Sequence, residues 1–195
     1  MQYDPERHAR HSIRLQGFDY GRPGAYFITR CVRNRECLLG NVVAQPVGAH
    51  SSAPASNVPN GTARLKLSAY GRIVVEAWHR SAEIRPEIEL DTFVVMPNHI
   101  HGIVIIRERR AHRRAPLPSD GGHRQPRSLG SFIAGFKNVT TTRINILRGT
   151  PGQSFWQRNY YERIIRNEAE WHCIRQYIIA NPMQWEMDRE NPNCR

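Results

Sequence analysis

Two histidines, His99 and His101, stand two residues apart in the run Met96-Pro97-Asn98-His99-Ile100-His101-Gly102-Ile103-Val104, where a turn opens an apolar segment. Strand side chains alternate faces, so both imidazoles point one way and could grip one metal ion while Ile100 enters the opposite layer. Two ligands are half a site, and the same spacing serves a purely structural pair equally well. Further along the chain, Tyr177 and Asn181 lie one helical turn apart, with Cys173 a turn earlier. A tyrosine hydroxyl can act as a nucleophile and an amide oxygen as a metal ligand. On helix geometry alone, however, a tyrosine beside a buried stripe is more often a packing residue with a hydrogen-bonded hydroxyl, and Asn181 reads as a helix C-cap.

The elements that must position these residues follow from periodicity. Residues 25–33 are aromatic and β-branched after the turn signal Gly21-Arg22-Pro23-Gly24 and predict a first strand, which a short run through Leu38 and Leu39 could extend as a hairpin. From 41 to 63 the composition shifts to Pro, Ala, Ser and Asn, and predicts a flexible loop or insertion. Ser68 opens a helix carrying Tyr70, Val74, Ala77 and Trp78 and ending before Pro86. Leu90–Met96 and His99–Ile106 predict an antiparallel pair about Pro97-Asn98.

The arginine-rich stretch 107–127 predicts a second loop. Ser128 caps a helix with Leu129, Phe132, Ile133 and Phe136 in one stripe, weakening at Thr140-Thr141-Thr142 and stopping by Gly149 and Pro151. Tyr160–Arg166 alternates as a strand, and Asn167 with Glu170 signals the start of a final helix over 168–180. Pro182 is expected to bias Asn181 away from helical angles and end that helix. The order β, α, β, β, α, β, α predicts an α+β, ferredoxin-like split βαβ plan. It implies an antiparallel sheet of four to five strands and an extra C-terminal helix carrying Tyr177. At 195 residues the whole chain, 1–195, is expected to form a single domain.

Lys and Arg number 28 against 17 Asp and Glu, a net charge of +11. That imbalance costs self-repulsion unless an anion binds, so nucleic acid is the first partner to consider. The scarcity of lysine beside arginine is equally what GC-rich codons would produce. No secretory signal and no membrane-length apolar run is visible, and Cys31, Cys37, Cys173 and Cys194 show no CxxC spacing, so a cytoplasmic protein with reduced thiols is expected. His8, His11, His50, His112 and His123 lie in charged or loop-like stretches, and His79 and His172 on helix faces, as solvated side chains. Tyr160 and Tyr161 are rival nucleophiles, less suited by their strand position; alternation sends them to opposite faces, so one is exposed.

Three segments carry a specific resemblance: Phe93 to Val104 with its His-Ile-His, Phe155-Trp156-Gln157-Arg158-Asn159-Tyr160-Tyr161-Glu162-Arg163-Ile164-Ile165-Arg166, and Tyr177-Ile178-Ile179-Ala180-Asn181-Pro182. Together, and in this order, they resemble the REP-associated tyrosine transposases, members of the His-hydrophobic-His ("HUH") single-tyrosine transposases of bacteria. The similarity runs from about Arg14 through Asp188 and departs chiefly at 41–63 and 107–127.

The resemblance implies metal-dependent cleavage and rejoining of single-stranded DNA, with repeated palindromic hairpins as targets, in a nucleoid-associated protein that works as a monomer or a homodimer. It implies that His99, His101 and Asn181 hold Mg2+ or Mn2+ and that Tyr177 attacks to form a 5′-phosphotyrosine. Imidazole ligands alone would favour zinc or another transition metal, so the hard cation comes from the resemblance. Arg30, Arg33, Arg35, Arg158, Arg163 and Arg166 are candidate DNA contacts, beside aromatic residues that could stack on bases. Two other readings stay open: a non-catalytic single-stranded DNA or RNA binder with a structural His pair, and a metal-dependent nuclease in which water attacks.

Overall fold

A computed structural model describes residues 22–44, 63–107 and 127–192. Strand β1 (Gly24–Cys31) is central, flanked by β5 (His99–Ile106) on one side and β6 (Tyr161–Ile165) on the other. Strand β4 (Ile88–Val95) adds at the edge beyond β5, giving the antiparallel order β4-β5-β1-β6 of a ferredoxin-like sheet. Among the described residues this sheet has four strands, within the expected four to five.

Residues at both ends of the expected 41–63 loop instead form strands. Here β2 (Gly40–Ala44) and β3 (Ala63–Leu67) pair with each other as a separate two-stranded sheet. They are short and pair only with one another, which leaves little pattern to read, although Leu65 and Leu67 pack against the main core. The interior of that segment, 45–62, and 108–126 of the second expected loop lie outside the described residues. After β1 the chain makes a short 3-10 turn at Arg33–Arg35 rather than continuing as a hairpin, and Leu39 enters the core.

Helix α1 (Ala69–Ile84) begins where Ser68 accepts a hydrogen bond from the Gly71 amide at 3.1 Å. Helix α2 (Leu129–Arg148) starts on Ser128, which accepts from the Ser131 amide at 3.2 Å, and ends on Gly149 with φ 65, a left-handed cap that favours glycine. The three threonines do not weaken α2. Thr140 returns its hydroxyl hydrogen to the Phe136 carbonyl at 2.7 Å and its oxygen accepts from Trp156 Nε1 at 2.8 Å, so tertiary contact overrides its modest propensity. Helix α3 (Glu168–Ala180) is capped by Asn167, whose side chain accepts from the Glu170 amide at 2.8 Å.

Alternation along the strands separates two layers. Tyr26, Ile28, Ile100, Val104 and Ile106 join Val74, Trp78, Phe132, Phe136 and Trp156 in the larger core beneath α1 and α2. Ala25, Phe27, Ile103 and Ile165 join Ile174 and Ile178 of α3 on the other face. Gly102 is the exception that lets the first core close: the Trp78 ring occupies the place its missing side chain would take.

The chain does not leave helical angles at Asn181, which has φ −55 and ψ −42 and opens a 3-10 segment, Asn181–Met187. Pro182 stands near the start of that segment, where its absent N–H is no loss. The bias imposed on a residue preceding proline is a preference, and packing outweighs it here. The 3-10 turns fold the chain back over the His-bearing face of the sheet.

Candidate metal and nucleophile site

His99, His101, Thr29, Phe27 and Tyr161 all belong to the α3 side of the sheet, because register pairs Thr29 with His101 and with Tyr161. The imidazoles are buried, and their Nε2 atoms face one another at 3.0 Å. Burial, together with nearby Arg35, pushes His99 down to about 3. Burial and the neighbouring His99 push His101 down to about 3 against the opposing charge of Asp188. Both rings are therefore neutral at pH 7, the state in which imidazole offers a lone pair to a metal. Each ring's other nitrogen has a partner: His99 Nδ1 lies 2.8 Å from Asn98 Oδ1, and His101 Nδ1 lies 2.8 Å from Thr29 Oγ1.

Helix α3 brings Tyr177 to this pair within one chain, its hydroxyl 3.4 Å from His101 Nε2. Phe27 supports the arrangement by stacking on His101 at 5.4 Å and meeting the edge of Tyr177 at 6.0 Å. The orientation of α3 is set by Asp91 on β4, which accepts from Trp171 Nε1 at 2.5 Å and pairs through both oxygens with Arg175. Burial raises the Tyr177 hydroxyl above its ordinary pKa; a hydrogen bond from the Asn181 carboxamide opposes the shift, and Asp188 and Glu190 add to it. Tyr177 is accordingly a neutral phenol at pH 7, 45% exposed to the cleft.

Asn181 is buried with its Oδ1 lacking a hydrogen-bond partner. A buried carbonyl oxygen left unpaired is costly, and a cation is one group that would satisfy it. Sequence reasoning missed Asp188. Its carboxylate comes to 3.7 Å from His99 Nε2, and among the described residues His99, His101 and Asp188 are the acidic, His or Cys side chains that could hold a metal ion together. The signal was faint, being only that acidic residues resume at 186, 188 and 190 just beyond Asn181. Two imidazole nitrogens, a carboxylate and an amide oxygen form a mixed donor set suited to a divalent cation. His101, Asp188 and Asn181 line one cleft of about 770 Å3 that also takes in Tyr177, Arg163, Arg189 and Tyr161, and His99 lies buried behind His101.

The candidate DNA contacts divide. Arg30 is not available to a ligand: it alternates onto the opposite face of the sheet from the histidines and is 1% exposed. Its Nη2 donates to the Gln157 carbonyl at 2.6 Å, and the guanidinium lies 5.9 Å from the Trp156 ring centroid and 5.8 Å from that of Tyr160. Burial lowers its pKa to about 10, still charged at pH 7. Arg35 is half-buried and pairs with Glu190 at 2.8 Å. Arg33, Arg158 and Arg166 are exposed, and Arg163 is exposed at the cleft while pairing with Glu170. Tyr161 is 46% exposed on the cleft side, whereas Tyr160 packs on the main core, the opposite-face arrangement expected from alternation.

No protein-family model matches the chain. A Haemophilus influenzae protein, described as uncharacterized, is 33% identical over 195 residues, which is 96% of each chain. The two belong to one family. Among solved structures, a REP-associated tyrosine transposase bound to a REP hairpin superposes with a TM-score of 0.55 at 20% identity, over 88% of this chain and 73% of that one. This chain has the fold of a REP-associated tyrosine transposase. Within that transposase fold, the face that carries His99, His101 and Tyr177 is the α3 side of the sheet. No helix among the described residues is long and apolar enough to cross a membrane.

Proposed function

We propose that this protein is a metal-dependent, HUH-type transposase that cleaves and rejoins single-stranded hairpin DNA, with the whole reaction carried by one domain. The observation that carries the reading is the convergence of the Tyr177 hydroxyl, 3.4 Å from His101 Nε2, with an imidazole pair that also faces Asp188. In this reading His99, His101, Asp188 and Asn181 hold a divalent ion, Mg2+ or Mn2+. When bound, the ion supplies positive charge at the scissile phosphate.

Tyr177 Oη attacks phosphorus, forming the Oη–P bond as the P–O3′ bond breaks. The phenolic proton passes to water, and water returns a proton to the leaving O3′, which departs as a 3′-hydroxyl. The product is a 5′-phosphotyrosine, which conserves the phosphodiester energy, so attack by another 3′-hydroxyl rejoins strands without a nucleotide cofactor. A phenol has a reference pKa of about 10 and is a weak nucleophile at neutral pH, so the tyrosine depends on positive charge near its oxygen. Phe27 and His101 hold the ring in place, and Arg163 at the cleft wall, with exposed Tyr161, offers a phosphate contact and a stacking surface. The structural neighbour's REP hairpin and the +11 charge of this chain support a hairpin substrate.

The test is incubation with labelled hairpin DNA and Mn2+ or Mg2+ followed by denaturing electrophoresis. A denaturation-resistant protein–DNA adduct is expected from the wild type and is lost in Tyr177→Phe. His99→Ala and His101→Ala lose cleavage and keep salt-sensitive binding. Cleavage without adduct would assign the attack to water, and binding with neither would make the protein a non-catalytic binder.

A further inference from the structure

The two histidines differ in how their second nitrogen is held. Asn98 is fully buried, and its Nδ2 donates to two backbone carbonyls, Arg35 O at 3.0 Å and Glu190 O at 2.6 Å. The Arg35 carbonyl belongs to a tight turn in which both Asn34 and Arg35 take positive φ, 57 and 56. Reversing the Asn98 amide would aim its oxygen at two carbonyl oxygens, so Oδ1 must be the atom facing His99 Nδ1. An amide oxygen only accepts. His99 Nδ1 must therefore carry the hydrogen, and His99 Nε2 is left bare.

Thr29 imposes no such rule, because a hydroxyl both donates and accepts. His101 can take its hydrogen on Nε2 and accept at Nδ1 from the Thr29 hydroxyl, or carry it on Nδ1 and donate to Thr29 Oγ1. With His99 Nε2 bare and 3.0 Å away, only the first form places a hydrogen between the two Nε2 atoms. The second form would leave two lone pairs facing each other with nothing between.

We infer that Asn98 locks His99 in a single tautomer while Thr29 leaves His101 convertible, so the metal-free pair is closed by an Nε2–H···Nε2 hydrogen bond that a cation opens by tautomer exchange at His101 alone. This rests on the reading of the pair as a metal site. In the exchange the Nε2–H bond of His101 breaks and an Nδ1–H bond forms by proton exchange with water. The ring stays neutral throughout, and the Thr29 hydroxyl turns from donor to acceptor. Asn98 and Thr29 are positioning residues, acting on the ion through the rings they hold. Because one of the carbonyls gripping Asn98 is that of Glu190, the segment that delivers Asp188 also helps set the tautomer of His99.

The experiment is long-range 1H–15N correlation NMR on the full chain with 15N-labelled histidine, metal-free and then with Zn2+, a diamagnetic probe for imidazole sites. His99 is expected as Nδ1–H in both states, and His101 as Nε2–H without metal and Nδ1–H with it. His99 as Nε2–H in the metal-free protein, or a His101 that keeps one tautomer throughout, would overturn the inference. Thr29→Ser is expected to preserve the exchange and the Zn2+ affinity. Thr29→Val, which gives Nδ1–H no acceptor, should weaken Zn2+ binding about tenfold or more; equal affinity in both variants would count against it. None of these readouts uses DNA. Expected tautomers without any covalent adduct would sink the proposed DNA reaction and leave this inference standing.

Discussion

Replacing Gly102 by alanine tests the packing that carries His101. A Cβ built at Gly102 falls 2.6 Å from both Cη2 and Cζ2 of Trp78 and 3.2 Å from Phe93. Favourable carbon contacts need about 3.5–4.0 Å, so the indole must retreat by about 1 Å. It has nowhere to go: Trp78 is fully buried, stacked on Phe93 at 4.4 Å, with Phe132 at 5.6 Å and Phe136 at 5.8 Å against its faces and edges. Overpacking of this kind costs about 1–3 kcal/mol, and with aromatic walls on all sides the upper half of that range applies. The lower entropy of an unfolded alanine returns about 0.4–1 kcal/mol. The net expectation is a loss of about 1–2.5 kcal/mol, which urea titration would read as a midpoint lowered by about 1 M at unchanged slope. Because residue 102 follows His101 on β5, Zn2+ affinity should fall in parallel. Trp78→Phe removes the clashing atoms, so the double variant should be more stable than the sum of the single losses by about 1 kcal/mol. A Gly102→Ala protein within about 0.5 kcal/mol of wild type, or strict additivity in the double variant, would refute the reasoning.

Other outcomes follow from single contacts. Thr140→Val leaves the buried Trp156 Nε1 without its 2.8 Å acceptor and should cost about 1–3 kcal/mol in chemical denaturation. Asp188→Asn removes the carboxylate charge facing the histidines and should weaken Mn2+ binding about tenfold or more in calorimetry with the fold intact; unchanged affinity would remove Asp188 from the ligand set. Burial pushes the Asp91 carboxyl up, but hydrogen bonds from Arg175, Trp171 and Thr92 more than reverse it, so its folded pKa lies below the ordinary value. Its contribution to stability is complete above the unfolded pKa of about 3.9 and is lost as pH falls through the lower folded value. Asp91→Asn should therefore flatten the acid side of the stability profile measured by denaturation from pH 6 downward, and an unaltered acid limb would show that the clamp on α3 carries no charge-linked stability.

Much of the site was legible because it is local. Residues two apart on a strand share a face and residues four apart on a helix share a turn, so His99 with His101, and Tyr177 with Asn181, could be grouped before any tertiary structure was known. Ser68, Ser128 and Asn167 likewise announced their helices, since a cap is a hydrogen bond to an amide three residues away. The β2–β3 pair escaped notice because its strands are short and pair only with each other, and the persistence of α2 through Thr140 depended on Trp156, which is remote in sequence.

What the sequence determined by itself is the alternation that sorts strand residues into two layers, the stripes that bury one side of each helix, and a basic charge. Tertiary structure alone decided which of the arginines could meet a ligand, since Arg30 is as basic as Arg163 in the sequence, yet one lies between aromatic rings in the core and the other at the cleft. It alone brought Tyr177 to His101 across 76 residues, and Asp188 to His99 after a 3-10 fold-back that follows the end of the helix. It alone oriented Asn98 through two carbonyls distant in sequence, and with it the His99 ring. The physical reason is range: periodicity and capping act within a few residues, whereas burial, hydrogen-bond direction and donor convergence are set only when separated segments close on one another.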